Sequence, residues 1–156
     1  MTATNSDLTM ARKAKNDEFY TRYEDIALEI DTYVEYDQDV FRDKTILSPC
    51  DDPCHSNFTR YFADNFSRLG LKKMISTSYA NGMTRNEAQG RICVMARDAY
   101  AQSGMPIVER DGYLEGDGDF RSDEVTALRD EADVIITNPP FSLFREFIAW
   151  TMGGSR

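Results

Sequence analysis

Apolar residues recur along this chain with two different periods, and the points where the period changes divide it into alternating strands and helices. From Tyr23 onward, Ile26, Ala27, Ile30, Tyr33 and Val34 repeat at helical intervals, and Thr21 with Glu24 has the spacing of a capping box, which predicts a helix start. "KTILSP" is short, apolar and closed by a proline, so it reads as a buried strand ending near Ser48 or Pro49, with "CDDPCH" as the loop that follows. Ser56 is a suitable N-cap for "NFTRYFADNFSRL", read as one helix with Phe58, Tyr61, Phe62, Phe66 and Leu69 on its apolar face and Gly70 as its stop.

"LKKMISTSY" reads as a second strand, and the helix between the two strands makes it parallel to the first through a right-handed crossover. "RICVMAR" and parts of "MPIVERDGYLEG" have strand composition, but Gly82, Gly90 and Gly104 punctuate the region and leave its register open. Ser122 is predicted to cap a short helix through "DEVTALRDEA", with Asp123 and Glu124 in the first turn. "DVIIT" is the clearest strand, expected beside the first one. Ser142 is then predicted to cap "LFREFIAWTM", with Leu143, Phe144, Phe147, Ile148 and Met152 as its apolar stripe. The pattern is that of an α/β fold, and it leaves "NPPF", residues 138–141, in a strand-to-helix turn. In open α/β sheets ligands bind at that kind of position.

Composition narrows the picture. A chain of 156 residues with 41% hydrophobic residues can bury a single core. Residues 1–16 are polar and predicted to be mobile, so residues 17–156 form the one expected domain. No run approaches the roughly 18 apolar residues of a membrane span, and the opening lacks the apolar block of a signal peptide, so a cytoplasmic location is expected. Cys50, Cys54 and His55 lie close together, but His55 is the only histidine and Cys93 the only other thiol. That falls short of the paired ligand sets of structural zinc, and reduced thiols with no metal are expected. The balance of 18 basic against 27 acidic residues gives a net charge of −9, which argues against tight DNA binding by this chain alone.

The turn itself has distinctive chemistry. Two successive prolines fix two φ angles, remove two backbone donors and press Asn138 toward an extended conformation, leaving rigid carbonyls free to accept. Asn138 Oδ1 and the Pro139 carbonyl suit an exocyclic amine whose hydrogens must be drawn out of the ring plane before it can act as a nucleophile. Phe141 offers a stacking face for a flipped-out base. The same four residues also read as an ordinary Asn-Pro turn with Phe141 in the core, and the residues alone leave both readings open. In "EGDGDF", Asp117, Asp119 and Asp123 are spaced as oxygen donors, but Arg121 breaks the calcium-loop pattern, and a tight acidic turn is the simpler reading.

The order and spacing of "NDEFYT", "SPCDDPCHSNFTRYFADNFSRLGLKK", "GDGDFRSDE" and "DVIITNPPFSLFREFIAW" resemble those of adenine-specific DNA methyltransferases of the EcoRI methylase family, from about residue 16 to 150. The resemblance implies a Rossmann-like fold, S-adenosylmethionine as methyl donor and N6 of adenine in DNA as acceptor. It implies Asn138, Pro139, Pro140 and Phe141 as the catalytic motif. Phe19, Tyr20 and Thr21 look like the family's amino-terminal cofactor motif, and Ser48, Pro49, Cys50, Asp51 and Asp52 like the end of the first cofactor strand. Asp117, Asp119 and Phe120 look like the stretch near the adenine moiety of the cofactor. Such a cofactor carries an ammonium and a sulfonium, so Asp51 or Asp52 is an attractive partner, and its carboxylate suits the helix start at Ser56 and Asn57. It has no pyrophosphate, which fits the lack of G-x-G-x-x-G after the first strand. Where many methyltransferases hold the ribose with an acid, this chain has Ser76, Thr77, Ser78 and Tyr79.

The resemblance covers only the amino-terminal part of the family's usual length. The expected fold is therefore truncated after the NPPF strand and its helix, with a second copy or another polypeptide completing the sheet. The competing expectation is a catalytically incomplete cofactor-binding or interaction module.

Overall fold

The computed structural model describes residues 21–80 and 88–153. The features expected at Phe19, Tyr20, the polar opening and Gly82 lie outside the described residues. Five strands form one sheet: β1 (Thr45–Ser48), β2 (Lys73–Ser78), β3 (Arg91–Arg97), β4 (Pro106–Tyr113) and β5 (Val134–Ile135). Their order across the sheet is β4-β3-β2-β1-β5. β1 pairs in parallel with both β2 and β5, whereas β2–β3 and β3–β4 are antiparallel. The chain is thus mixed α/β, with three parallel strands extended on one side by two antiparallel ones.

Ile46 and Leu47 are neighbours on β1 and both are completely buried, which requires cover on both faces of the sheet because successive side chains point to opposite sides. Ile46 packs with Met74 beneath α1 (Tyr23–Tyr36), α2 (Asn57–Asp64) and α3 (Phe66–Leu69), which contribute Ile26, Ile30, Phe62 and Phe66. On the opposite face Leu47 and Ile75 pack beneath α4 (Asp123–Glu131) and α5 (Phe144–Gly153), through Val125, Phe147 and Trp150. Continuous apolar strands between two helical layers are what parallel pairing demands.

Local chemistry departs from the sequence expectations at three helix starts or breaks. The capping box at Thr21 does not form: Arg22 is the N-cap of α1 and makes no side-chain cap bond. Thr21 instead uses its carbonyl to accept from Asn57 Nδ2 at 2.9 Å, and Glu24 and Asp25 supply the first-turn negative charge that the helix dipole favours. The predicted helix over 57–69 is interrupted at Asn65, whose Nδ2 bonds back to the Tyr61 carbonyl at 2.9 Å and competes with the helical ladder. Gly70 ends the second piece in the left-handed region at φ 70°. Ser142 is not the cap of α5. It lies inside a 3-10 turn, Phe141–Leu143, closed by Leu143 N donating to the Pro140 carbonyl at 3.1 Å, and α5 begins only at Phe144.

The buried face of α5 also differs from the expected stripe. Phe147 and Trp150 are inside, while Phe144, Ile148 and Met152 are exposed. Trp150 decides this: its Nε1 donates to Thr126 Oγ1 at 3.1 Å, and Arg129 donates to its carbonyl at 2.8 Å with the guanidinium lying over the indole. Ser56 and Ser122 do act as N-caps, accepting from Phe58 N and Thr59 N and from Val125 N respectively.

The two sheet edges are unlike. β4 turns Glu109, Arg110 and Asp111 to solvent, the kind of charged edge that discourages further pairing. β5 is short but well registered: Asp133 N donates to the Thr45 carbonyl at 2.9 Å, Thr45 N donates to Asp133 Oδ2 at 2.9 Å, and Ile136 N donates to the Leu47 carbonyl at 3.0 Å. Its outer side carries no strand among the described residues. A cavity of about 500 Å³ opens there between α1 and Val134–Thr137, lined by Ile26, Ile30, Phe41 and Ile136 among others.

The acidic loop after β4 is pinned beneath the end of β2. Ala80 N donates to the Asp117 carbonyl at 2.7 Å and Gly90 N to the Gly116 carbonyl at 2.9 Å. Gly118 has φ +81°, and a Cβ there would lie 2.2 Å from the Ser78 carbonyl oxygen. Gly118→Ala should therefore lower unfolding free energy by roughly 2–4 kcal/mol, read as a shift in urea midpoint at unchanged slope. An unchanged midpoint would show that the loop is not held against β2.

Candidate active site

The carboxyl ends of β1, β2 and β5 converge, and β1 is the strand from which the chain departs to either side: through α2 and α3 to β2, and much later through α4 to β5. Open α/β sheets bind their ligands at the strand ends of such a switch point. The loop after β1 and the turn after β5 meet there.

The contact between them is direct. Cys50 N donates to Thr137 Oγ1 at 3.1 Å, Asn138 N donates to Asp51 Oδ2 at 3.2 Å, and Thr137 Oγ1 makes a short hydrogen bond to the same carboxylate oxygen. Ser48 Oγ donates to the Ile136 carbonyl. From the other side, Ser56 Oγ donates to Asp51 Oδ1 at 3.0 Å, while Asp51 N donates to the Thr77 carbonyl at 3.0 Å. Ser76 Oγ donates to the Asp51 carbonyl at 2.8 Å and Thr77 Oγ1 to the Pro49 carbonyl at 3.2 Å. Asp51 is 2% exposed and thus sits within the protein rather than at its surface. Burial raises its pKa above the ordinary carboxylate value, and the donors Thr137, Ser56 and Asn138 act against that rise without cancelling it.

Asp52 is different from its neighbour. It is half-buried, and its Oδ1 accepts from Cys54 N at 2.7 Å and His55 N at 3.2 Å, which folds the loop over ahead of α2. The β2 hydroxyls at Ser76, Thr77 and Ser78 are buried, the first two committed to the Pro49–Asp51 backbone; Tyr79, the next residue, is exposed. Among the described residues no group of three or more His, Cys, Asp and Glu side chains is gathered around a possible metal position.

In the turn, Asn138 and both prolines are half-buried and Phe141 is 74% exposed. Asn138 Nδ2 is buried and has no hydrogen-bond partner. An unmet buried donor costs about 1–3 kcal/mol. The acidic loop places Asp119 against Arg121, whose guanidinium donates to both its oxygens and lowers its pKa. Phe120 is inside the second core, 4% exposed, with ring centroids 5.3 Å from Phe147 and 5.5 Å from Trp150. Thr21 borders α2, while Phe19 and Tyr20 lie outside the described residues.

The structure therefore brings segment 48–52, expected from the sequence, together with Asn138, and it leaves the ring of Phe120 in the core. Thr137 and Ser56 belong to this arrangement as well. Thr137 drew no notice in the sequence because a threonine at a strand end is ordinary β composition; the signal was its place immediately before Asn138.

The chain is a mixed α/β protein whose Asn-Pro-Pro turn is hydrogen-bonded to the loop at the end of its first strand. The particular family follows from comparison: the sequence pattern of the family described as adenine-specific methyltransferase EcoRI matches residues 7–154, and the chain belongs to that family. It is 43% identical over 152 residues to the type II methyltransferase M.EcoRI of Escherichia coli, covering 94% of this chain and 45% of that protein. It is 38% identical to M.MgeORF184P of Mycoplasma genitalium and 36% identical to M.MpnI of Mycoplasma pneumoniae, each over 88% of this chain and 38% of the relative. The chain spans less than half the length of these relatives. No solved structure matches it.

Because the folded-state pKa of Asp51 is raised, the linkage has a definite sign. Its contribution to stability is complete below the unfolded pKa of about 3.9 and is lost as pH rises through the folded value. Relative to Asp51→Asn, the wild-type protein should thus lose stability as pH is raised from about 4 toward neutrality, as read by urea unfolding of the two proteins at each pH. A difference that grows with pH would show that the donors outweigh burial.

Proposed function

We propose that this chain supplies the S-adenosylmethionine site and the catalytic turn of an adenine-N6 DNA methyltransferase, on a Rossmann-like sheet of which residues 17–156 form part. The observation that carries this reading is the hydrogen-bonded meeting of the β1-end loop with Thr137 and Asn138, the two stretches that the family resemblance assigns to cofactor and catalysis. The polar groups fit the two ligands: the half-buried carboxylate of Asp52 suits the cofactor's ammonium, the exposed Tyr79 at the end of β2 its ribose, and the unpaired buried Nδ2 of Asn138 is left for the target base. Phe19, Tyr20 and Thr21 are proposed to close over the methionine end, with Ser48, Pro49 and Cys50 forming the floor. Asp117 and Asp119 border the adenine end, and the core position of Phe120 makes it a support for that loop.

When bound, the cofactor supplies an electrophilic methyl group. The protein's part is orientation. Asn138 Oδ1 and the Pro139 carbonyl accept the hydrogens of adenine N6 and free its lone pair, Pro139 and Pro140 keep those acceptors from relaxing, and Phe141 stacks on the extruded base. No covalent enzyme intermediate or metal is invoked. The site of action is proposed to be cytoplasmic DNA; no described helix is long and apolar enough to cross a membrane.

The test is titration calorimetry with S-adenosylmethionine, together with tritiated methyl transfer to unmethylated DNA. Asp52→Ala and Tyr20→Ala should weaken cofactor binding about tenfold or more, whereas Asn138→Ala should lower turnover about 100-fold with cofactor affinity nearly unchanged. Absence of heat from the folded wild-type protein at millimolar cofactor would refute the reading.

DNA is the proposed substrate, and a second copy or another polypeptide is proposed to complete the sheet beyond β5, where an apolar cavity adjoins an uncovered strand edge. Light scattering over a dilution series should show concentration-dependent association. A monomer at all concentrations, with slow amide exchange at Ile135 and Ile136, would show that the edge needs no partner.

A further inference from the structure

We propose that Asp51 is a positioning residue, whose buried carboxylate holds the backbone amide of Asn138 and the hydroxyl of Thr137 in the arrangement from which the turn acts, without itself touching cofactor. This rests on the reading of the turn as an acceptor site, and it removes Asp51 from the set of direct cofactor ligands.

The hydrogens of the network can be assigned one by one. Phe58 N–H donates to Ser56 Oγ at 3.1 Å, so the Ser56 hydroxyl is free to point its hydrogen at Asp51 Oδ1. Cys50 N–H donates to Thr137 Oγ1, so the Thr137 hydroxyl directs its hydrogen to Asp51 Oδ2, where Asn138 N–H also arrives. A backbone N–H has no alternative role. Oδ2 therefore faces two donors and Oδ1 a third, and only a group that accepts at both oxygens satisfies them all. The ionised carboxylate is that group.

The carboxylate thereby fastens the turn to the end of β1 and to the start of α2, while the Asp51 backbone is tied to β2 at Thr77 and Ser76. Displacement of the Asn138 amide moves its side chain and the Pro139 carbonyl together, because the prolines transmit rather than absorb rotation. The elements packed on Asp51 present hydroxyls and amides: Ser56 from α2, Ser76 and Thr77 from β2, Thr137 and Asn138 from the turn. Titratable side chains on its own loop are Cys50, Asp52, Cys54 and His55.

The deciding comparison is wild type against Asp51→Asn, in which one acceptor oxygen becomes a donor and the remaining bonds become neutral and weaker. Calorimetry should give a cofactor Kd within about threefold of wild type, while kcat falls about 10- to 100-fold and loses its acid limb. Thr137→Val, which retains the carboxylate and removes one donor, should change kcat in the same direction by less. By NMR, the Asn138 amide proton of the wild-type chain should titrate in step with the Asp51 carboxyl carbon, and should cease to titrate in Asp51→Asn. A Kd raised tenfold or more with kcat unchanged would make Asp51 a cofactor ligand and overturn the proposal. So would an Asn138 titration that survives the substitution, which would assign it to Asp52 or His55. If the wild-type chain shows no methyl transfer, the functional reading fails while the NMR comparison still decides whether Asp51 holds the turn. If Asp51→Asn does not fold, Thr137→Val and the wild-type titration decide it.

Discussion

The carboxylate of Asp51 is the point on which the arrangement of this molecule depends. An acidic group almost wholly out of water is strongly unfavourable unless donors surround it. Here they come from two separate stretches of chain, Ser56 at the start of α2 and the consecutive pair Thr137 and Asn138 in the turn after β5. Each stretch is a strand end or a helix start. The hydrogen bonds to this one buried carboxyl group therefore tie the end of β1 to the start of α2 and to the turn after β5.

Around that junction the two hydrophobic layers have different tasks. The layer under α1, α2 and α3 is built on Ile46 and Met74 and supports the loop after β1 from one side. The layer under α4 and α5 supports the turn from the other, through Phe120, Phe147 and Trp150. Phe120 explains how a glycine-rich acidic loop becomes part of the site's frame: its ring is fixed between two aromatic neighbours of the last helix, so the loop backbone at Asp117 and Gly118 is held against Ser78 and Ala80.

Much of this was legible from the pattern of residues. The parallel pairing of "TILS" with "KMISTS", the caps at Ser56 and Ser122, the left-handed stop at Gly70 and the adjacency of "DVIIT" to the first strand all follow from local rules, and each is present. What local rules could not supply was competition. Asn65 breaks a helix because its amide finds a carbonyl of the same turn, and Ser142 loses its capping role because the prolines deliver the chain into a 3-10 turn first. Asp51 and Asp52 are adjacent and chemically identical in the sequence; only their partners, 86 and 87 residues away for Asp51, make one a buried anchor and the other a loop former. The ring of Phe120 offered packing or ligand contact equally until the positions of Phe147 and Trp150 were known.

The span of those contacts bears on how the molecule comes into being. The bonds that join Thr45, Ser48, Cys50 and Asp51 to residues 133–138 close loops of 86–88 residues. Closing such a loop is entropically unfavourable, and native pairings of this range form late unless local structure has already shortened the effective chain. The antiparallel strands β2, β3 and β4 and the helices between β1 and β2 can organise beforehand; β5 cannot. During synthesis Asp51 is consequently made well before Thr137 and Asn138, two of the three groups that donate to its carboxylate. Until then the end of β1 lacks the two donors that fasten the turn to it in the folded protein.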